Sequence, residues 1–198
     1  MPEEQIIRLA VIVGSVREGR LGPTVAEWFA GRARRHESLD VDVIDLAETP
    51  LPMVMPRFGT APAAEAARAL GVLTSRLARA DAFAIVTPEY NHSFPASLKN
   101  AIDWHDRQWH AKPVGFISYG GISGGLRAVE QLRLVFAELH AVTIRDTVSF
   151  HGARRHFDDQ GEPISPQGCD GAAKVLLDQL IWWARTLREG RAARPYVT

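Results

Sequence analysis

Short apolar runs rich in β-branched residues alternate along this chain with longer stretches of helical period. Residues 6–13 form an almost continuous Ile/Leu/Val run, the pattern of a strand buried on both faces of a sheet. Residues 41–46, 82–87, 114–118 and 141–148 repeat the signature and predict four more strands. Between them, residues 23–35, 63–80, 96–104 and 125–139 have the spacing of helices, and 171–188 follows as a fifth. Pro23 suits the first helical turn, where its missing N–H would be unpaired anyway. Strict alternation of this kind predicts βαβ units around a parallel sheet, an open doubly wound α/β fold that binds ligands beyond the carboxyl ends of its strands.

Two stretches interrupt the alternation. Residues 49–62 hold four of the twelve prolines and read as a loop, and residues 151–168 carry Gly152, Gly161, Pro163 and Pro166 and read as another. Neither is long enough to join two separate cores, so residues 1–188 are expected to form a single domain and 189–198 a frayed tail. A length of 198 residues agrees with one domain, and 46% hydrophobic residues suffice for a sizeable core.

Charge and cysteine content narrow the function classes. Lys plus Arg and Asp plus Glu are 23 each, so the footprint of a general nucleic-acid binder or anionic-membrane binder is missing. Cys169 is alone and cannot form an internal disulfide. The first residues, Met-Pro-Glu-Glu-Gln, are acidic where a signal peptide is basic, and no run approaches the ~20 apolar residues of a membrane span. The expectation is a soluble, cytoplasmic protein with neither nucleic acid nor membrane as partner.

The candidate chemistry lies in three loops that follow strands. The first, residues 14–24, joins a buried strand to a helix whose free N–H groups and positive dipole end attract anions. Gly14, Gly19 and Gly22 let the backbone close around a ligand, Ser15 offers a hydroxyl, and Arg17 can pair with two phosphate oxygens at once. Two other phosphate motifs fail here. Arg20 and Leu21 stand where a Walker loop needs lysine and a hydroxyl residue, and the glycine spacing does not match the dinucleotide fingerprint. The second loop, from Thr87-Pro88-Glu89-Tyr90-Asn91 to Pro95, is stiffened by two prolines and presents an aromatic ring and an amide, suited to lying along a flat heterocycle. The third, Ser118-Tyr119-Gly120-Gly121-Ile122-Ser123-Gly124-Gly125, has four glycines in eight residues and offers backbone N–H groups without side-chain obstruction.

Gly14-Ser15-x-Arg17, Pro88-Glu89-Tyr90-Asn91 with Leu98-Lys99-Asn100-Ala101-Ile102-Asp103-Trp104, and the Gly-rich turn after Lys112-Pro113-Val114 together resemble the NADPH-dependent FMN reductase family, which includes quinone, azo and chromate reductases. The match spans roughly residues 6–150, and the remainder is compatible with it. The resemblance implies a flavodoxin-like five-stranded parallel sheet in the order 2-1-3-4-5 with helices on both faces. It also implies an FMN-binding homodimer or homotetramer that passes hydride from NADPH or NADH to the flavin and then electrons to a small-molecule acceptor. Carried over by position, Ser15 and Arg17 would hold the FMN phosphate, with Gly22, Pro23 and Thr24 in the same segment. Pro88, Glu89, Tyr90 and Asn91 would border the ring, and Ser118, Tyr119, Gly120 and Gly121 would flank it. Many members have serine where this chain has Arg20 and asparagine where it has Gly22, so Arg20 and Thr24 stand as substitutes. Such a site needs no catalytic side chain, because the flavin N5 carries the chemistry.

Other residues attract attention without matching a motif. His105, Asp106 and His110, and His151 with His156, lack the spacing of a helical zinc pair, and no metal is expected. His92 is either a pocket wall or a proton donor to the acceptor. Trp104 and Trp109 read as subunit-interface aromatics, Trp182 and Trp183 as core or interface, and Arg57, Arg107 and Arg127 as candidates for the 2′-phosphate of NADPH. Two alternatives to the reductase remain open at this point: a flavodoxin-like electron carrier, and a non-redox protein of the same fold that binds a phosphorylated metabolite.

Overall fold

The computed structural model describes residues 6–57 and 59–197. Five strands, β1 (Ile7–Val13), β2 (Leu39–Asp45), β3 (Ala82–Pro88), β4 (Pro113–Gly120) and β5 (Val142–His151), form one parallel sheet in the order β2-β1-β3-β4-β5. Helices α1 (Gly22–Ala33), α2 (Ala64–Arg79), α3 (Ala96–Asp103), α4 (Leu126–Glu138) and α5 (Pro166–Ala193) alternate with them, and a single 3₁₀ turn at Ala153–Arg155 follows β5. This is the flavodoxin-like doubly wound architecture. The connection that leaves β1 runs one way, to β2, and the one that leaves β3 runs the other way, to β4, which opens a crevice between the carboxyl ends of β1 and β3.

Alternation along the central strands divides the interior into two cores. Leu9, Val11 and Val13 face α1 and α5 with Ala84, Val86 and Ile117, whereas Ala10 and Ile12 face α2, α3 and α4 with Phe83, Ile85 and Phe116. The central strands β1, β3 and β4 are therefore largely apolar because they are covered twice, whereas the edge strands β2 and β5 carry polar residues between their apolar ones. Helix α5 comes especially close to β4. A side chain at Gly115 would have its Cβ 2.8 Å from Leu176 Cδ1 and 3.0 Å from Leu180 Cδ1. The carboxyl ends finish nearly level, with Pro88 beside Tyr119 and Tyr119 beside Phe150, so the loops that leave them meet.

Several sequence expectations need correction. Helix α5 starts at Pro166, inside the segment expected to be a loop, because proline in a first turn gives up no hydrogen bond. It also continues past Arg188 to Ala193, where the expected frayed tail would begin, and Tyr196 Oη lies 3.0 Å from His140 Nδ1. Trp109 is not at a surface: it is 1% exposed, with Phe83 and Phe136 at ring-centroid distances of 4.7 and 5.4 Å. Trp104 is half-buried, and its indole N–H donates to Pro52 O at 3.0 Å, pinning the proline-rich loop to α3. Trp182 is 59% exposed and stacks edge-on against the partly buried Trp183. Among the described residues no helix is long and apolar enough to cross a membrane.

Candidate functional site

A cleft of about 670 Å³ lies over the carboxyl edge of the sheet. Ser15 and residues 17–21 after β1, residues 88–90 at the end of β3, 119–121 at the end of β4 and 152–155 after β5 form its walls. A shallower cleft of about 580 Å³ adjoins it, shares Arg17, Glu89 and Tyr90, and continues to Asn91 and Ser97.

The first loop forms the cationic end. Ser97 Oγ donates to Gly14 O at 2.6 Å and anchors the start of the loop to α3. Ser15 is fully buried, and its Oγ lies 2.7 Å from Tyr90 Oη, so the first and second loops meet through two hydroxyls. The Arg17 guanidinium is exposed, lies over the Tyr90 ring at 5.9 Å from the centroid, and has no carboxylate partner among the described residues. Arg20 is placed differently. Its two Nη atoms donate to the two Asp45 oxygens at 2.6 and 2.7 Å, and Nη1 also reaches Ser15 O at 2.6 Å. The Asp45 hydrogen bonds raise the Arg20 pKa and outweigh the effect of burial. Arg20 thus lines the cleft as a brace between β2 and the loop, with its charge already matched.

The other residues expected in this segment do not line the cleft. Gly22 starts α1 beneath it, where an added Cβ would sit 2.9 Å from Val13 Cγ1 and 3.0 Å from Tyr119 Oη. Pro23 is exposed at the helix start, and the Thr24 methyl faces Gly161, where an added Cβ would meet it at 3.2 Å.

The second loop is a tight hairpin. Tyr90 N donates to Ser93 O at 2.8 Å and Ser93 N to Tyr90 O at 3.0 Å, which leaves Asn91 and His92 as central residues with φ of 49° and 73°. Two successive positive φ values define the type I′ geometry, and Asn and His tolerate it better than most non-glycine residues. Asn91 therefore points to the adjoining cleft rather than the main one. Helix α4 holds this hairpin from outside. Gln131 Nε2 donates to His92 O at 2.7 Å, and Ser93 Oγ donates to Gln131 Oε1 at 2.7 Å. Glu89 accepts from Ser123 Oγ at 2.6 Å and from the Arg127 amide at 3.2 Å, and pairs with Arg127 Nη2 at 2.5 Å. Burial alone would raise the Glu89 pKa, but the bonds from Ser123 and Arg127 overcome it and lower the carboxylate below its ordinary value. Arg127 is also 3.2 Å from His92 Nδ1, which must accept because a guanidinium only donates. Arg127 is thereby taken up by the loop. Arg107 lies between α3 and β4, at the amino edge of the sheet, so neither of these arginines offers a free charge to the cleft.

Tyr119 walls the cleft from β4. It is 6% exposed, its Oη is buried without a hydrogen-bond partner, and its pKa is raised, first by burial and then by Tyr90 nearby. Gly120 and Gly121 lie next to it along the cleft. Ser118 is fully buried below them, and its Oγ donates to Gly124 O at 2.8 Å, a carbonyl that Ser149 Oγ also reaches at 2.9 Å. Ser118 therefore shapes the third loop and does not face the cleft. Gly124 and Gly125 have φ of 60° and 86°, and an added Cβ would approach His151 and Ser118 within 2.5 and 2.7 Å, so this turn requires glycine at both positions.

The structure brings Ser15, Arg17, Arg20, Pro88, Glu89, Tyr90, Tyr119, Gly120 and Gly121 to one cleft. It keeps Gly19, read from the sequence as a residue whose backbone closes on a ligand, and adds Glu18, Leu21 and the turn at 152–155, with Arg154 and Arg155, which the sequence reading missed. The available signal was topological: β5 ends at the same edge as the others, so a loop rich in arginine after it belonged with the other three.

The sequence profile of a family described as NADPH-dependent FMN reductase matches residues 7–155. An NAD(P)H-dependent FMN reductase of Schizosaccharomyces pombe is 41% identical over 123 residues, covering 60% of each chain. A probable NADPH:quinone oxidoreductase of Oryza sativa is 33% identical over 182 residues, covering 87% of this chain and 89% of its own. Among solved structures, a flavoenzyme NAD(P)H:(acceptor) oxidoreductase from Paracoccus denitrificans superposes with a TM-score of 0.73 over 91% of this chain and 98% of its own, at 22% identity, and supports the fold.

Proposed function

The chain belongs to the NADPH-dependent FMN reductase family, and from that premise we propose that it transfers hydride from NADPH or NADH to bound FMN and then reduces a small acceptor: a quinone, a free flavin, an azo compound or a metal oxyanion. The observation that carries this reading is the cleft itself, which has an unmatched guanidinium at one end and stiff aromatic and glycine walls at the other.

The residues present fit FMN. Tyr119 Oη is a buried polar atom without a partner, of the kind a ligand hydroxyl completes. Gly121 has open space where a Cβ would project, so its backbone can approach a ring closely. Ser15 and Arg17 would hold the phosphate, with Ser15 exchanging its Tyr90 hydroxyl contact for a phosphate oxygen. Pro88, Glu89, Tyr90, Tyr119, Gly120 and Gly121 would border the ring, with Asn91 at its outer margin.

Bound FMN supplies a hydride acceptor, and protein groups position and tune it. Ionised Glu89, paired with Arg127 and Ser123, keeps the second and third loops in a fixed relation and so keeps the cleft at constant width. Gly120 and Gly121 put no side chain into the cleft wall, and backbone N–H groups within reach of the ring there would favour negative charge on it. No second nucleotide-binding fold accompanies the sheet in the described residues, so nicotinamide and acceptor would use the same open side in turn.

We further propose a cytoplasmic homodimer or homotetramer built on one FMN-binding domain. Val16, at the rim of the adjoining cleft, and Met53 and Val54, in the proline-rich loop, are 49, 67 and 85% exposed, and such apolar surface suits a subunit contact; light scattering of the purified protein tests it. The central test is to release the ligand from purified protein, identify it by mass, and mix the holoprotein anaerobically with NADPH or NADH. Released FMN and a bleached flavin absorbance are expected. A protein that stays colourless after FMN is added would refute the proposal.

A further inference from the structure

The turn after β5 joins the two ends of the cleft. Gly152, with φ of 62°, donates its N–H to Gly121 O at 2.8 Å, tying the turn to the glycine-rich third loop. Two residues later, Arg154 Nη2 donates to Gly19 O at 3.2 Å, in the first loop. Ala153 and Phe157 on either side are buried in the core against α1 and α5, so Arg154 projects from a rigid base. Arg154 and Arg155 both line the cleft, and neither has a carboxylate partner among the described residues.

Charge shows what such an arm could hold. Arg20 is matched by Asp45 and Arg127 by Glu89, which leaves Arg17, Arg154 and Arg155 as unmatched cations around the cleft, opposed by Glu18 alone. That surplus of two positive charges is the complement of a phosphate monoester dianion. We infer that Arg154 is a second cationic ligand of the FMN phosphate, closing over the first loop from β5 and supplying the charge that Arg20, held by Asp45, does not provide. The inference rests on the flavin reading above. It assigns the phosphate to the space between Arg17 and the contact of Arg154 with Gly19 O.

The test compares two flavins that differ only in the phosphate, titrated into apoprotein and followed by flavin fluorescence. Arg154→Ala is expected to weaken FMN about tenfold, the usual effect of losing one charge-assisted bond, and to change riboflavin affinity less than about twofold. Arg154→Lys should recover part of the loss, and thermal midpoints of both variants should match the parent because the side chain is exposed. Equal losses for FMN and riboflavin, or no loss of FMN affinity, would overturn the inference. So would an unchanged FMN affinity accompanied by a raised KM for NADPH but not NADH, which would assign the arm to the nicotinamide substrate. In each of those outcomes a holoprotein still bleached by NADPH leaves the proposed function standing, whereas parent protein that binds neither flavin removes both.

Discussion

The two ends of the sheet are built from the same kinds of connection but treat their polar groups in opposite ways. At the amino edge, charged and aromatic groups are turned inward and matched by backbone. Lys112 is 7% exposed, and its ammonium donates to Leu77 O and Ala78 O at 3.0 and 3.1 Å, the last carbonyls of α2, where the helix dipole favours a cation. The Trp109 indole donates to His105 O at 3.1 Å, and His105 Nδ1 lies 2.7 Å from Ala101 O. At the carboxyl edge, Arg17, Arg154 and Arg155 line the cleft without a carboxylate partner among the described residues, and Tyr119 keeps a buried hydroxyl without a partner among them. Groups satisfied internally stabilise the fold, and groups left unmatched remain available to a ligand.

If that division holds, changes at the amino edge should alter stability and spare flavin affinity, and changes at the carboxyl edge should do the reverse. The largest expected effect is Trp109→Ala, which removes a fully buried ring between Phe83 and Phe136 and should cost about 3–5 kcal/mol in urea unfolding. FMN affinity of the protein that remains folded should be unchanged, and a parallel loss of both would break the contrast.

Lys112 sharpens it through pH. Burial, then the nearby Arg191 charge, lowers its pKa from 10.5 to about 8, against a smaller opposing pull from Asp81. Between those values the unfolded chain binds more protons than the folded one, so stability should rise with pH across the window. The gain relative to Lys112→Met should approach about 3 kcal/mol by pH 10.5. Denaturant titrations of both proteins from pH 7.5 to 10.5 measure it, and a constant difference would show that burial does not strain the ammonium.

At the other edge, Arg17→Ala should weaken FMN by roughly ten- to hundredfold, about 1.5–3 kcal/mol, with a smaller loss for riboflavin. Its unfolding free energy should stay within about 0.5 kcal/mol of the parent, since the guanidinium is exposed and its contact with the Tyr90 ring is a long one at the surface. Equal losses for the two flavins would mean that Arg17 does not meet the phosphate. The Arg154→Ala comparison is the smallest of these effects and draws the boundary of the carboxyl-edge site most finely.

The strand and helix order, the three candidate loops, two of them glycine-rich and one stiffened by prolines, and their position beyond the strand ends were legible in the amino-acid sequence, because each follows from periodicity and local backbone preference. Strand alternation depends on neighbours two residues apart, and the glycines at 124 and 125 on their own φ values. What only the tertiary structure decided was which polar group meets which. Arg17 and Arg20 lie three residues apart in one loop, yet Asp45 at the end of β2 takes one and leaves the other open. Ser15 and Ser118 both follow or end a buried strand, but Ser118 bonds Gly124 O while Ser15 meets Tyr90 in the cleft. Arg154 comes within reach of Gly19 across 135 residues only because the level ends of five strands bring their loops to one edge. A side chain's type and spacing determine what it can do, whereas its charge and hydrogen bonds are matched or left unmatched by groups that only chain packing brings near.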